Sequence, residues 1–210
     1  MKVKHFVFND FQENTYILSD ETGECVIIDC GCLYEDEEQK LISYIVDKDL
    51  KPVKLLNTHC HIDHVMGNSF IKQEYRIEYL AHEADRFLIE SAVQHGAVYG
   101  FDVEQPPFPN GYLIDGDIVK FGNSELQVFS VPGHSPGSIV FYNKANAFVL
   151  VGDVLFAGSI GRTDLPGGNT NQLITAIQEK LFTLPDETLV YSGHGPTTTI
   201  GEEKRTNPFF

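Results

Sequence analysis

The sequence lacks any apolar stretch long enough to cross a membrane, and it has few basic residues. None of its hydrophobic runs approaches the roughly 20 residues that a membrane helix needs. Its 30 acidic residues outnumber 15 Lys and Arg, for a net charge of −15. Because a nucleic-acid or anionic-membrane binder needs a basic face, we expect neither partner. An anionic ligand would have to be captured locally, since the overall field repels it.

Cysteine is also scarce, and its four copies fall in the first third of the chain: Cys25, Cys30, Cys32 and Cys60. Thiols in this arrangement are expected to be free in a reducing cytosol. The Cys30-Gly31-Cys32 segment is far short of a four-cysteine zinc pattern. Residues 1–8 alternate like a strand and lack the apolar run of a signal peptide, so we expect a cytoplasmic protein.

Two common catalytic and ligand-binding motifs are missing. There is no Gly-x-Ser-x-Gly segment, which argues against a serine nucleophile. The glycine-rich residues 157–169 lack the Gly-Lys-Ser/Thr that a phosphate-binding loop requires. The chemistry therefore has to come from another set of side chains.

That set begins in residues 58–64, Thr-His-Cys-His-Ile-Asp-His, which follow a short apolar run typical of a buried strand. Side chains two apart on extended chain point the same way, so His59 and His61 should converge on one point. Asp63 and His64 should lie on the turn after the strand and face a second point nearby. The segment therefore predicts the start of two metal sites.

Three more potential ligands occur far along the chain. His134, Asp153 and His194 each follow an apolar, strand-like run, and glycine adjoins each of them. Glycine and proline at such positions indicate tight turns at strand ends. Residues on these turns are aimed into a cleft more often than they are packed in a core. We therefore predict that all three join the metal sites.

This pattern resembles the metallo-β-lactamase-fold hydrolases, and most closely the short glyoxalase II-like branch of hydroxyacylglutathione hydrolases. The motif His-x-His-x-Asp-His is present, and the later single ligands follow in the order of the family. The resemblance implies a first ion on His59, His61 and His134, and a second ion on Asp63, His64 and His194, with Asp153 bridging them. It also implies that Asp29, in Asp29-Cys30-Gly31 where many relatives have Asp-Pro-Gly, orients a ligand histidine or the ligand loop.

The remaining residues read as alternating strands and helices in one α/β domain, residues 1–210. Strands are predicted near 3–8, 14–19, 25–29, 53–58, 77–81, 117–121, 125–130, 138–142, 147–151 and 188–192, and helices near 35–49, 65–75, 82–92 and 170–182. This order fits two mixed sheets with helices outside, the four-layer αββα sandwich that the resemblance also implies. Residues 93–116 are interrupted by Gly and Pro, which predicts an irregular segment serving as a lid or substrate wall.

The ligand set predicts a metal-dependent hydrolase. Two divalent ions that share a water molecule can supply hydroxide near neutral pH, with Asp63 and Asp153 as the catalytic carboxylates beside it. Imidazole and carboxylate ligands suit zinc first, then iron, and also manganese. The resemblance implies a thioesterase that acts on S-(2-hydroxyacyl)glutathione or a similar small thioester of another low-molecular-weight thiol. The ligands do not identify the thiol or the oligomeric state.

Several alternatives share these residues. A mononuclear iron persulfide dioxygenase resembles the chain through Gly161-Arg162-Thr163-Asp164 but typically lacks a working second site. A lactonase or phosphodiesterase of the same fold is also open, whereas a β-lactamase commonly has Cys where this chain has Asp153. A non-enzymatic metal sensor using Cys30 and Cys32 is the least favoured. Arg162 either pairs with Asp164 or backbone carbonyls, which we favour, or binds a substrate carboxylate.

Overall fold

The first half of the chain builds a six-stranded mixed sheet in the computed structural model, which describes residues 1–210. Its strands are β1 (Lys2–Phe8), β2 (Glu13–Ser19), β3 (Glu24–Ile28), β4 (Lys51–Leu56), β5 (Glu78–Ala81) and β6 (Gly111–Tyr112), side by side in that order. The first three strands pair antiparallel, and β3 to β6 pair parallel. The parallel strands place several carboxyl ends at one edge of the sheet.

The second half builds another mixed sheet of six strands. Its chain-order elements are β7 (Ile118–Phe121), β8 (Ser124–Ser130), β9 (Ile139–Asn143), β10 (Phe148–Gly152), a separate hairpin of β11 (Leu155–Phe156) and β12 (Ser159–Ile160), then β13 (Leu189–Ser192) and β14 (Thr198–Thr199). The spatial order is β14-β13-β10-β9-β8-β7, and only β10 and β13 are parallel.

Helices cover the outer faces of the two sheets. They are α1 (Glu35–Asp47), α2 (Ile62–Val65), α3 (Asn68–Tyr75), α4 (Arg86–Glu90), α5 (Ala92–Tyr99), α6 (Thr170–Ala176) and α7 (Ile200–Thr206). A 3₁₀ turn at Glu83–Asp85 precedes α4, and one π-helical turn at Ile177–Leu181 continues α6. None of these helices has the length and apolar character needed to span a bilayer.

Because successive side chains of a strand point to opposite faces of its sheet, the two sheets form three buried apolar layers. On β3, Val26 and Ile28 pack between the two sheets, while Ile27 packs on the other side with Leu41 of α1. The outer face of the second sheet is covered by another apolar cluster that includes Leu173 of α6. Fully burying one such aliphatic side chain contributes about 1.5–3 kcal/mol. The predicted αββα sandwich with two mixed sheets is confirmed.

Two predicted helices are broken in the structure, and each break has a local cause. The helix predicted at 65–75 is split into α2 and α3, because the Gly67 N–H donates to the Cys30 carbonyl at 2.8 Å instead of continuing α2. The helix predicted at 82–92 opens as the 3₁₀ turn and ends at Ser91, whose hydroxyl donates to the Phe87 carbonyl. Side-chain to backbone hydrogen bonds of this kind compete with regular helix.

The prediction that residues 93–116 are irregular is wrong for their first part. Helix α5 continues to Tyr99 and ends at Gly100, whose φ of +83° is the left-handed conformation that glycine supplies after a helix. Residues 101–110 contain no helix or strand. The small helix α7 and the two-residue strands were not predicted, since such short elements carry little periodicity.

Candidate metal centre

The predicted ligands lie on turns that follow strands of both sheets. His59 comes after β4 of the first sheet, whereas His134, Asp153 and His194 come after β8, β10 and β13 of the second. Gly152, with φ of +51°, ends β10 in a conformation that turns the chain toward Asp153. The strand ends therefore bring ligands from distant parts of the sequence to one cleft.

His59, His61 and His134 form a compact cluster, called here the three-histidine group. The His134 Nε2 atom lies 2.8 Å from Nδ1 of His61 and 3.2 Å from Nε2 of His59. The three ligand nitrogens all lie within 4.8 Å of one another. Converging imidazole nitrogens of this kind suit one divalent cation.

Asp63, His64 and His194 form a second cluster, called here the mixed group. His194 Nε2 lies 3.1 Å and His64 Nε2 3.6 Å from Oδ2 of Asp63. Both Asp63 and His64 lie on the short helix α2, and not on a simple turn as expected. The three ligand atoms again lie within 4.8 Å of one another.

Asp153 lies between the two groups. Its Oδ2 is 3.7 Å from Nε2 of His134 and 3.5 Å from Nε2 of His194. Its Oδ1 is 3.4 Å from His64 Nε2, and both of these atoms are buried without a hydrogen-bond partner. Buried polar atoms are rarely left unpaired, and here two of them face one another. The donor set therefore fits two divalent ions with Asp153 between them.

Hydrogen bonds on the far side of the rings fix several ligand histidines. His134 Nδ1 lies 2.8 Å from the Arg162 carbonyl oxygen, and His194 Nδ1 lies 3.1 Å from that of Phe11. Because a carbonyl only accepts, each Nδ1 carries the proton and leaves Nε2 free for a cation. His59 Nδ1 lies 3.1 Å from Thr58 Oγ1, which itself donates to a carboxylate.

That carboxylate belongs to Asp29, which is buried at the end of β3. Its Oδ1 accepts from the Thr58 backbone N–H at 2.7 Å, and its Oδ2 accepts from the Thr58 hydroxyl at 2.6 Å. Oδ2 also lies 3.3 Å from His64 Nδ1, and the buried Glu13 Oε1 lies 3.8 Å from the same nitrogen. Asp29 thus contacts both Thr58 of the predicted ligand loop and the predicted ligand His64, the two places where it was expected to act.

A second buried aspartate, Asp85, connects the loops of the three-histidine group. Its Oδ2 accepts from the Cys60 backbone N–H at 3.0 Å and from the Ser135 hydroxyl at 2.8 Å. Its Oδ1 accepts from the Gly137 N–H at 2.7 Å. One carboxylate therefore joins the loop of His59 and His61 to the loop of His134. The sequence analysis missed this residue, because Asp85 lies in a polar stretch that reads as a helix start.

Two histidines of the three-histidine group, His59 and His61, are kept neutral by their surroundings. Burial lowers the pKa of His59 well below its ordinary value, and the nearby His64 lowers it further. Burial, together with His134, lowers the pKa of His61 to about 3. Imidazoles that remain neutral at physiological pH are ready to bind a cation.

The mixed group has the opposite character. Burial lowers the pKa of His64, but the carboxylates of Asp63 and Asp153 outweigh burial and raise it well above the ordinary value. The pKa of His194 is raised in the same way, since its hydrogen bond to Asp63 outweighs its burial. Without metal, the mixed group holds protons where an ion would bind.

The two groups open onto a cleft with a volume of about 280 Å³. Arg162 lines it, but its Nε and Nη2 each donate to an oxygen of Asp164 at 2.7 Å. This is the structural pairing that was favoured for Arg162. His95, Val98 and Tyr99 of α5 also line the cleft, so part of the predicted substrate wall is helical. No sequence motif singled them out.

The four cysteines are free and buried, as expected. Cys30, Cys32 and Cys60 pack in the apolar cluster beside α1 and α3. Cys60 is 1% exposed and directs its sulfur toward the Tyr79 hydroxyl, at 3.9 Å. These contacts describe packing.

Comparison with known proteins assigns the family. The model of the metallo-beta-lactamase superfamily matches residues 8–194. The probable metallo-hydrolase YqgX of Bacillus subtilis is 39% identical over 210 residues, which cover 100% of this chain and 97% of the relative. The hydroxyacylglutathione hydrolase GloC of Haemophilus influenzae is 36% identical over 211 residues, covering 100% and 98%.

Solved structures agree with this result. The crystal structure of BLEG-1 B3 metallo-beta-lactamase superposes with a TM-score of 0.91 at 34% identity, covering 99% of both chains. TTHA1623 in a di-iron-bound form gives 0.89 at 38% identity, covering 99% of this chain and 100% of that one. ETHE1 from Myxococcus xanthus gives 0.79 at 29%, covering 99% and 84%. The chain therefore belongs to the metallo-beta-lactamase superfamily, whose members are generally hydrolytic enzymes with metal sites.

Proposed function

We propose that this protein is a dinuclear metal-dependent thioesterase that cleaves S-(2-hydroxyacyl)glutathione or a similar small thioester. The observation that carries the proposal is the pair of three-ligand groups with Asp153 between them in one cleft. The full-length similarity to a hydroxyacylglutathione hydrolase supports the reaction class. Residues 1–210 would act as one domain, with a small molecule as partner.

The three-histidine group would hold one ion, the mixed group would hold the other, and Asp153 would contact both. When bound, divalent ions acidify a water molecule and polarise a carbonyl group, which is the chemistry that thioester hydrolysis requires. Imidazole and carboxylate donors suit zinc first, with iron or manganese as alternatives. The di-iron form of TTHA1623 keeps iron among the candidates.

The side chains of the protein contribute orientation and proton handling. Asp63 and Asp153 present carboxylate oxygens beside the two groups, where they can accept a hydrogen bond from the attacking water and orient it. A thiolate leaves as a weak base, so a strong acid is not needed beside the leaving group. His95 is the one cleft-lining imidazole outside the ligand set.

A substrate panel tests the reaction class. Purified protein of measured metal content is assayed with S-lactoylglutathione, a generic thioester, a lactone and a phosphodiester. We expect metal-dependent cleavage of thioesters to be much faster than that of matched oxygen esters. Efficient turnover of the lactone or phosphodiester with no thioester cleavage would show that the thioesterase proposal is wrong.

The second candidate is the mononuclear iron persulfide dioxygenase. It is favoured by one observation, that the three-histidine group alone provides a complete set of ligands for a single ion. Oxygen consumption with a persulfide substrate, at one iron per chain, distinguishes it from the hydrolase.

A further inference from the structure

One wall of the cleft is apolar beside the metal centre. Phe11, whose carbonyl oxygen lies 3.1 Å from Nδ1 of His194, also contributes its side chain to the cleft lining. Its ring packs edge-on against Tyr99 with centroids 5.4 Å apart, and it meets the tilted ring of Phe101 at 5.3 Å. Val98 lies one residue before Tyr99 and is 79% exposed. A substrate bound at the metal centre would meet this wall.

The same cleft has little positive charge beyond the metal positions. Its one permanent cation is Arg162, whose guanidinium forms two hydrogen bonds with Asp164. No lysine lines the cleft, and the whole chain carries a net charge of −15. A ligand with several carboxylates would therefore find no unpaired cation among the walls.

We infer that this cleft selects thioesters with an apolar acyl group and a thiol portion that carries no more than one carboxylate. The inference rests on the proposed thioester hydrolysis and narrows its substrate class to the similar small thioesters, in preference to S-(2-hydroxyacyl)glutathione. An acyl chain against Phe11 and Leu165 removes apolar surface from water, which is worth about fourfold in binding per methylene. The two carboxylates of a glutathione portion would instead face Arg162, which Asp164 already neutralises.

The cleft volume agrees with a short acyl chain. At about 280 Å³ the cleft lies just below the 300–1,000 Å³ typical of pockets for drug-sized ligands. Leu88, Leu165 and Pro166 line it together with the aromatic wall. There is room for a few carbons beside the reacting carbonyl, with the thiol portion directed outward past Val98.

Two matched substrate series test the inference on the metal-loaded protein. Acetyl, propionyl, butyryl and lactoyl groups are each carried by N-acetylcysteamine, which is uncharged, and by glutathione. Each kcat/KM is divided by the hydroxide-catalysed rate of the same compound. We expect a rise of about fourfold per methylene from acetyl to butyryl, and a lower value for lactoyl than for propionyl. Each glutathione thioester should fall roughly tenfold below its neutral counterpart.

A charge added at the cleft sharpens the test. Val98→Lys places a cation at the exposed end of α5 and should raise the kcat/KM of glutathione thioesters about threefold relative to the neutral series. Val46→Lys is the matched control, because Val46 lies on α1, is 68% exposed and does not line the cleft. Both variants change the net charge equally, so only the position differs.

The outcomes separate the two proposals. A flat response to acyl length, a wild-type preference for glutathione thioesters, or equal effects of the two lysine variants would overturn the inference while thioester hydrolysis stands. If fully metal-loaded protein cleaves no thioester of either series, the proposed function fails and the inference fails with it.

Discussion

The two halves of the metal centre use the same imidazole chemistry in opposite electrostatic settings. The rings of His59 and His64 are only 4.1 Å apart between centroids, yet the pKa of His59 is lowered and that of His64 is raised. His59 is surrounded by other imidazoles, whereas His64 lies among carboxylates. Proximity therefore does not make two histidines equivalent, because the charge of the neighbouring groups decides the proton occupancy.

The difference extends to the groups behind the ligands. In the three-histidine group, the outer nitrogens of His134 and His59 face a carbonyl and a hydroxyl, both neutral. Behind His64 lie the carboxyls of Asp29 and Glu13. Burial raises the pKa of Glu13 well above its ordinary value. The mixed group thus has more carboxyl groups around its histidines, and an ion that binds there would displace protons.

We expect the largest loss of activity from changing Asp153, the residue that lies between the three-histidine group and the mixed group. Asp153→Asn takes negative charge from between the two groups, so we expect at least about 100-fold lower activity without loss of the fold. Steady-state kinetics, metal analysis and circular dichroism check this. Normal turnover with retained metal would remove Asp153 from the mechanism.

Variants of Asp29 and Asp85 should distinguish ion binding in the mixed group from ion binding in the three-histidine group. Asp29→Asn should weaken ion binding in the mixed group, and Asp85→Asn should weaken it in the three-histidine group, each by about 10–100-fold. In each variant, the new amide N–H would face an N–H or O–H group that donates to a carboxylate oxygen in the wild-type protein. Titration calorimetry of the metal-free protein resolves the two binding steps.

The exposed Asp47→Asn of α1 is the control for this pair. If both buried variants weaken the same binding step, the assignment of one aspartate to each group is wrong.

The pH dependence of metal binding should differ between the halves. Because the pKa of His64 is raised well above its ordinary value, an ion that binds to the mixed group displaces a proton near neutrality, and the affinity for that ion should fall by about tenfold per pH unit as the pH falls. The pKa of His61 is lowered to about 3 and that of His59 lies well below its ordinary value, so these two histidines have no proton to release over the same range, and ion binding in the three-histidine group should depend less on pH. Zinc titrations between pH 6 and pH 8 measure both steps, and parallel slopes would contradict the comparison.

The smallest expected effect is a change in the number of ions bound per chain. Protein purified without chelator should contain about two ions per chain, and His194→Ala should reduce this to one by removing a ligand of the mixed group only. Elemental analysis provides the count. A wild-type value that stays near one after reconstitution would favour the mononuclear dioxygenase.

All seven predicted ligands could be read from local spacing or from a glycine turn after an apolar strand, and the structure brings them together. His59 and His61 converge through strand alternation, and His134 and His194 were placed by their turns. The bridging position of Asp153 came from family resemblance, since nothing local indicates which carboxylate lies between two groups. Its distances to both groups agree with that position.

Most of the residues that surround the predicted ligands could not be predicted from local sequence patterns. Glu13 begins β2, a strand whose seven residues are all buried, and a carboxylate in such a strand is a signal that could have been used. Asp85 gains its role only from loops that are 25 and 50 residues away. The cleft wall at α5 was read as irregular, although Gly100 offered a helix-ending signal.

The placement of ligands on strands of both sheets has a consequence for the integrity of the sandwich. His61 follows β4 of the first sheet and His134, 73 residues later, follows β8 of the second. An ion bound to both histidines would link the first sheet to the second. It would have to be released before the two sheets could separate. Occupancy at a thousand times the dissociation constant would add about 4 kcal/mol against unfolding. The availability of metal in the cell would then affect the stability of the protein as well as its activity.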